Sequence, residues 1–146
     1  MDLLVIGGAG EASEFADLRK RAGWILEQKA KPALVADGYY DPLVFVFRGQ
    51  RFVNGVGLMA EGERPLRDEV REAVELCQGT CCVFARTALH PTCGEALLVA
   101  LVHPEGEVLL CAPFTRQGGV RFGETQVLEG EGLAGPWAEA LWRRDG

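Results

Sequence analysis

The chain has 146 residues, 48% of them hydrophobic and 25% charged, with a formal net charge of −6. That is the size and mix of one globular domain, read here as residues 1–146, and it excludes a mainly disordered chain. The longest nearly uncharged apolar stretch, Ala96 to His103, has eight residues against the ~20 that span a bilayer, so no membrane span is expected. The acidic balance argues against a nucleic-acid backbone as partner, and the lack of a signal-peptide pattern at the start points to the cytoplasm.

In chain order, Leu3–Ile6 reads as a short buried strand stopped by Gly7-Gly8. From Glu11 to about Gln28, Phe15, Leu18, Ala22, Ile25 and Leu26 recur at helical spacing, with Trp24 on the opposite face. Pro32 is expected to break this helix, and Ala33–Ala36 to form a second strand ending at Asp37-Gly38. Leu43–Phe47 and Arg51–Asn54 flank Arg48-Gly49-Gln50 as a hairpin. Pro65 opens a helix whose stripe is Leu66, Val70, Ala73, Val74 and Cys77, and Gly79 closes it.

Three apolar strands follow, Cys81–Leu89, Ala96–His103 and Val108–Ala112, then a half-polar edge strand, Val120–Leu128. Pro136 starts a short terminal helix carrying Trp137, Leu141 and Trp142. Leu97 to Val102 is apolar without alternation, so both faces of the sheet should be covered, by helices or by a partner subunit. The fold class is therefore α+β: a mixed, mostly antiparallel sheet with helices packed on it. Its elements are an N-terminal strand–helix–strand, a hairpin, a helix and a three- to four-stranded meander.

Three features carry possible chemistry. The first is the loop Gly7, Gly8, Gly10 and Ser13 between a strand and a helix, with Asp37 after the second strand. This is the layout in which backbone amides cradle a pyrophosphate and an acid reaches the ribose. Ser13 replaces the third small residue, Glu11 already satisfies the helix end, and the hairpin and meander downstream do not continue a doubly wound sheet. A mononucleotide or small anion therefore suits the loop better than NAD.

The second feature is the set of five cysteines with His90 and His103. Cys77 and Cys81 cannot share a metal with His90 and Cys93, because the strand between them spans about 20 Å. Cys77, Cys81, Cys82 and His103 form a weaker alternative, since the next strand returns His103 towards Cys82. More plainly, Cys77, Cys82 and Cys111 read as small core hydrophobes, Cys93 as the most exposed cysteine, and both histidines as exposed turn residues. No serine elbow, P-loop lysine or zinc-deaminase pair is present, so catalysis is not expected and no cofactor is implied.

The third feature is aromatic surface. Trp24, Trp137 and Trp142 are candidate interface residues, and a homodimer is the expected assembly. Arginine outnumbers lysine 12 to 3, with one serine and one asparagine, a composition that fits a heat-adapted host. The leading functional reading is a non-catalytic domain acting by binding or self-association. The alternatives are a nucleotide- or phosphate-binding protein using residues 7–13, and a cysteine-based metal or redox site.

Overall fold

The computed structural model describes residues 14–58, 66–91 and 93–130. The expected strand Leu3–Ile6, the glycine loop and the terminal helix with Trp137 and Trp142 lie outside those residues. The elements are α1 (Glu14–Ile25), a π-helical turn (Leu26–Ala30), α2 (Lys31–Asp37), β1 (Leu43–Arg48), β2 (Arg51–Gly57) and α3 (Leu66–Leu76), followed by β3 (Cys81–His90), β4 (Gly94–His103), β5 (Gly106–Thr115), β6 (Arg121–Phe122) and β7 (Gln126–Gly130). The class is α+β, and every strand pairing among the described residues is antiparallel.

Residues 33–36 are helical, not a strand. Ala22, Leu26, Ala30 and Leu34 are buried at four-residue spacing, which drifts about 40° per step on a 3.6-residue helix. The wider π turn takes up the drift, with the Lys31 N–H reaching back to the Leu26 carbonyl. Pro32 then falls in the first turn of α2, where a missing donor costs little. Gly38, at φ 80°, ends α2 with its N–H on the Leu34 carbonyl. Sequence spacing alone treats Pro32 as a stop because it assumes an unbroken α geometry.

The sheet runs β2-β1-β3-β4-β5, and β6 and β7 both pair with the outer side of β5. The expected half-polar edge strand is divided in two, with Gly123 between the halves donating its N–H to the Pro113 carbonyl. Alternation along β3 sends Cys81, Val83 and Ala85 into the cluster under α1, and Cys82 and Phe84 into the cluster under α3. Leu97, Val99 and Leu101 of β4 join Leu18, Ile25 and Leu34 on the α1 side. Each such buried side chain is worth roughly 1.5–3 kcal/mol. Val70, Ala73 and Val74 of α3 cover the opposite face over Val44, Val46 and Val102. Leu98 and Ala100 of β4 are buried on that face in a separate cluster with Leu109 and Cys111 of β5.

The hairpin and α3 meet at a tight joint. Gln78 adopts φ 55° after α3, and the Gly79 N–H returns to the Val74 carbonyl at 2.8 Å. Arg48 Nη2 donates to the Cys77 carbonyl at 2.8 Å and Nε to that of Gln78 at 3.1 Å. A positive group thereby meets the negative end of the helix. The Gly49 N–H donates to Thr80 Oγ1. No helix among the described residues is long and apolar enough to cross a membrane.

Candidate functional site

The weaker alternative of Cys77, Cys81, Cys82 and His103 as one ligand set is divided between the two faces of the sheet. Cys77 and Cys82 belong to the cluster under α3, whereas Cys81 belongs to the cluster on the α1 side. His103 lies on the α1 side too, at the end of β4, in register with Leu101. It is buried rather than turn-exposed, because Glu14 at the start of α1 closes over it. Glu14, Cys81 and His103 bring their ligating atoms within 4.8 Å of one another, a grouping resembling nucleophile, base and acid.

Its hydrogen bonds rule out that chemistry. His103 Nδ1 accepts the Glu105 backbone N–H at 3.0 Å, so the ring proton sits on Nε2 and is donated to Glu14 Oε2 at 2.8 Å. Neither nitrogen has a lone pair free to take the thiol proton or bind a cation. Desolvation pushes the Cys81 thiol up to about 11, and the Glu14 charge adds to this against a hydrogen bond with Thr80. The protonated sulfur points to the Gly49 carbonyl at 3.9 Å. The grouping fastens α1 to the hairpin turn and the end of β4. Phe15 completes it, edge-on to the His103 ring at 5.5 Å.

A second grouping was not foreseen: His90, Cys93 and Cys111, also within 4.8 Å. As expected, the length of β3 separates His90 and Cys93 from Cys81. The third member comes from β5, whose Cys111 pairs with Leu98 and Gln126. Asp37, the expected ribose acid, is the last residue of α2, and the Gly38 carbonyl beyond it accepts from Arg116 Nη1 at 2.7 Å. Of the nucleotide layout, the second strand is replaced by helix. The loop residues Gly7, Gly8, Gly10 and Ser13 are outside the described part.

An aromatic surface lies where α1 meets the hairpin. A cleft of about 320 Å³ is lined by Arg21, Trp24, Ile25, Lys29, Phe45, Phe47 and Phe52. A bulge forms it: pairing passes from Val46–Asn54 to Phe47–Phe52, leaving Val53 unmatched. Phe52 is thereby turned to the α1 side, 5.7 Å from Phe47 and 6.3 Å from Phe45, ring to ring. Trp24 stands on the exposed face of α1 as its spacing implied, at 56% exposure, and Phe52 is 49% exposed. Lys29 lies over the Trp24 ring at 5.5 Å and Arg21 over Phe47 at 5.7 Å.

Comparisons with protein-family models, with curated proteins and with solved structures found no match to this chain.

Proposed function

We propose that this is a non-catalytic assembly domain that forms a symmetric homodimer through β2 and the Trp24–Phe52 cleft. The observation that carries this reading is the outer edge of β2. It is seven residues long and mostly exposed, without proline, and from Phe52 to Gly57 without charge. Soluble proteins ordinarily blunt such an edge with charge, proline or a covering element. Here the edge, which pairs with no further strand among the described residues, lies beside the half-exposed Phe52 and Trp24 rings, and its Gly55 N–H is held only locally, by Asn54 Oδ1 at 2.9 Å.

A second copy is the occupant that fits, because the edge is self-complementary. On the α1 side it presents the Phe52 ring and then bare backbone at Gly55 and Gly57, which sit opposite Phe45 and Leu43. Space above Gly57 is open, and a Cβ on Gly55 would make only ordinary contact with Phe45 at 4.0 Å. A knob and a recess on one strand are what a two-fold contact requires. The five free thiols suit a reducing, cytoplasmic setting.

Sedimentation velocity over a concentration series tests the reading. The wild-type chain should sediment as a dimer and Phe52→Lys as a monomer with an unchanged circular-dichroism spectrum. Wild type and variant sedimenting alike would overturn it. A second reading rests on Arg21 and Lys29 at the cleft, whose charges over aromatic rings suit a planar acidic ligand. Quenching of Trp24 fluorescence by nucleoside monophosphates or aromatic carboxylates, lost in Lys29→Glu, would favour it.

A further inference from the structure

We propose that His90, Cys93 and Cys111 form a binding site for one thiophilic divalent cation, zinc first among them, independent of the β2 interface. Three ligands of the right chemistry converge there from separate parts of the sheet. His90 ends β3, Cys93 lies in the turn that leads to β4, and Cys111 comes from the middle of β5. Their ligating atoms all lie within 4.8 Å of one another. A tetrahedral zinc ion with sulfur at 2.3 Å and nitrogen at 2.0–2.1 Å places its ligand atoms about 3.6–3.8 Å apart. Closing inward by about 1 Å or less completes that triangle, within reach of side-chain rotation.

The burial gradient suits a bound ion. Cys111 is fully buried in a cluster with Ala96, Leu98 and Leu109, whereas His90 and Cys93 are half-buried. Cys93 also lines an open cleft of about 460 Å³ with Glu95, Pro113, Thr115 and Arg121. The inner ligand is thus fixed by the sheet, and Cys93 faces a route of entry. The remaining coordination position is left to water or to a donor entering by that cleft, as in sites with three protein ligands. Gln126 Oε1 lies 3.7 Å from Cys93 Sγ, where it accepts the thiol hydrogen. Turning that amide over would present an N–H to the thiolate, the support that metal ligands ordinarily have.

Charge is conserved at each step. Binding breaks the two S–H bonds, releases two protons and forms two metal–sulfur bonds and one metal–nitrogen bond, with no change of oxidation state. Two thiolates cancel the charge of the cation, so no net charge is buried.

The test is titration of the reduced, chelator-stripped full chain with cobalt(II), followed by displacement with zinc(II). One equivalent should bind with a thiolate-to-cobalt charge-transfer band, and zinc should abolish that band. Affinity should rise with pH, by up to about 100-fold per unit for two released protons. His90→Ala should weaken binding by about tenfold or more. Cys111→Ser would bury a hydroxyl in an apolar cluster, so the decisive variant is the half-buried Cys93→Ser, which should lose the band while keeping its fold. Cys81→Ala should retain it. No band in the wild type, a band that survives Cys93→Ser, or a band that disappears in Cys81→Ala would overturn the proposal. So would a Cys93–Cys111 disulfide that persists in the presence of reductant.

Discussion

Gly79→Ala probes the joint that holds the β1–β2 hairpin, and with it the β2 edge, against α3. A Cβ at Gly79 would fall well inside van der Waals contact with Val46 Cγ1 and 3.1 Å from the Phe47 carbonyl oxygen. Neither neighbour can yield easily. Val46 is fully buried, and its branched side chain has little rotamer freedom. The Phe47 carbonyl is held by the Thr80 N–H, and the Gly79 N–H by the Val74 carbonyl, each at 2.8 Å. Relief therefore requires β1 and the end of α3 to move apart. Overpacking costs typically 1–3 kcal/mol, and with both flanks pinned the loss should be about 2–3 kcal/mol. Val46→Ala removes the obstructing methyl, so in the double mutant the two losses should fall short of additivity by at least about 1 kcal/mol. Urea unfolding followed by far-ultraviolet circular dichroism measures all four species, with an unchanged m-value as the control. A Gly79→Ala loss under about 0.5 kcal/mol, the range of surface substitutions, would refute the close approach, as would strict additivity.

Burial raises the thiol pKa of both Cys81 and Cys82, chiefly by desolvation. A raised folded-state pKa means that this stability is intact below about pH 8.5 and is lost as pH climbs towards the folded value. Cys82, with no exposed surface, should account for about 1.4 kcal/mol of the loss at about pH 9.5. Urea midpoints at neutral and alkaline pH should therefore fall less in Cys82→Ala than in wild type, and an equal fall would refute the assignment. Thiol labelling of the chelator-treated chain should divide the cysteines into two that react quickly, Cys77 and Cys93, and three that react only in denaturant, Cys81, Cys82 and Cys111. Peptide mapping that finds Cys81 among the fast group would contradict its place beneath α1.

Much of the architecture was legible because it is written locally. The turn Arg48-Gly49-Gln50, the helical stripe through Val70, Ala73 and Val74, and the unbroken apolar run Leu97–Val102 each state their structure within a few residues. What escaped depends on geometry that no short window contains. Pro32 reads as a helix stop until the π turn at Leu26–Ala30 restores the buried face. His103 reads as a turn residue until Glu14, 89 positions earlier, is seen to close over it. The bulge at Val53 that turns Phe52 towards Trp24 follows from pairing register, and so does the arrival of Cys111 beside Cys93. One signal was available: His103 keeps the alternation of Leu97, Val99 and Leu101, which marks it as inward-facing. The other was Glu14 itself, an acid in the first turn of α1 with more to reach than the helix end.

Native mass spectrometry of the reduced, chelator-treated wild-type chain puts assembly through β2 to its most direct test. The expected spectrum is dominated by a species of twice 15.8 kDa that falls to 15.8 kDa in Phe52→Lys. A wild-type chain that remains at 15.8 kDa up to its highest soluble concentration would contradict the dimer.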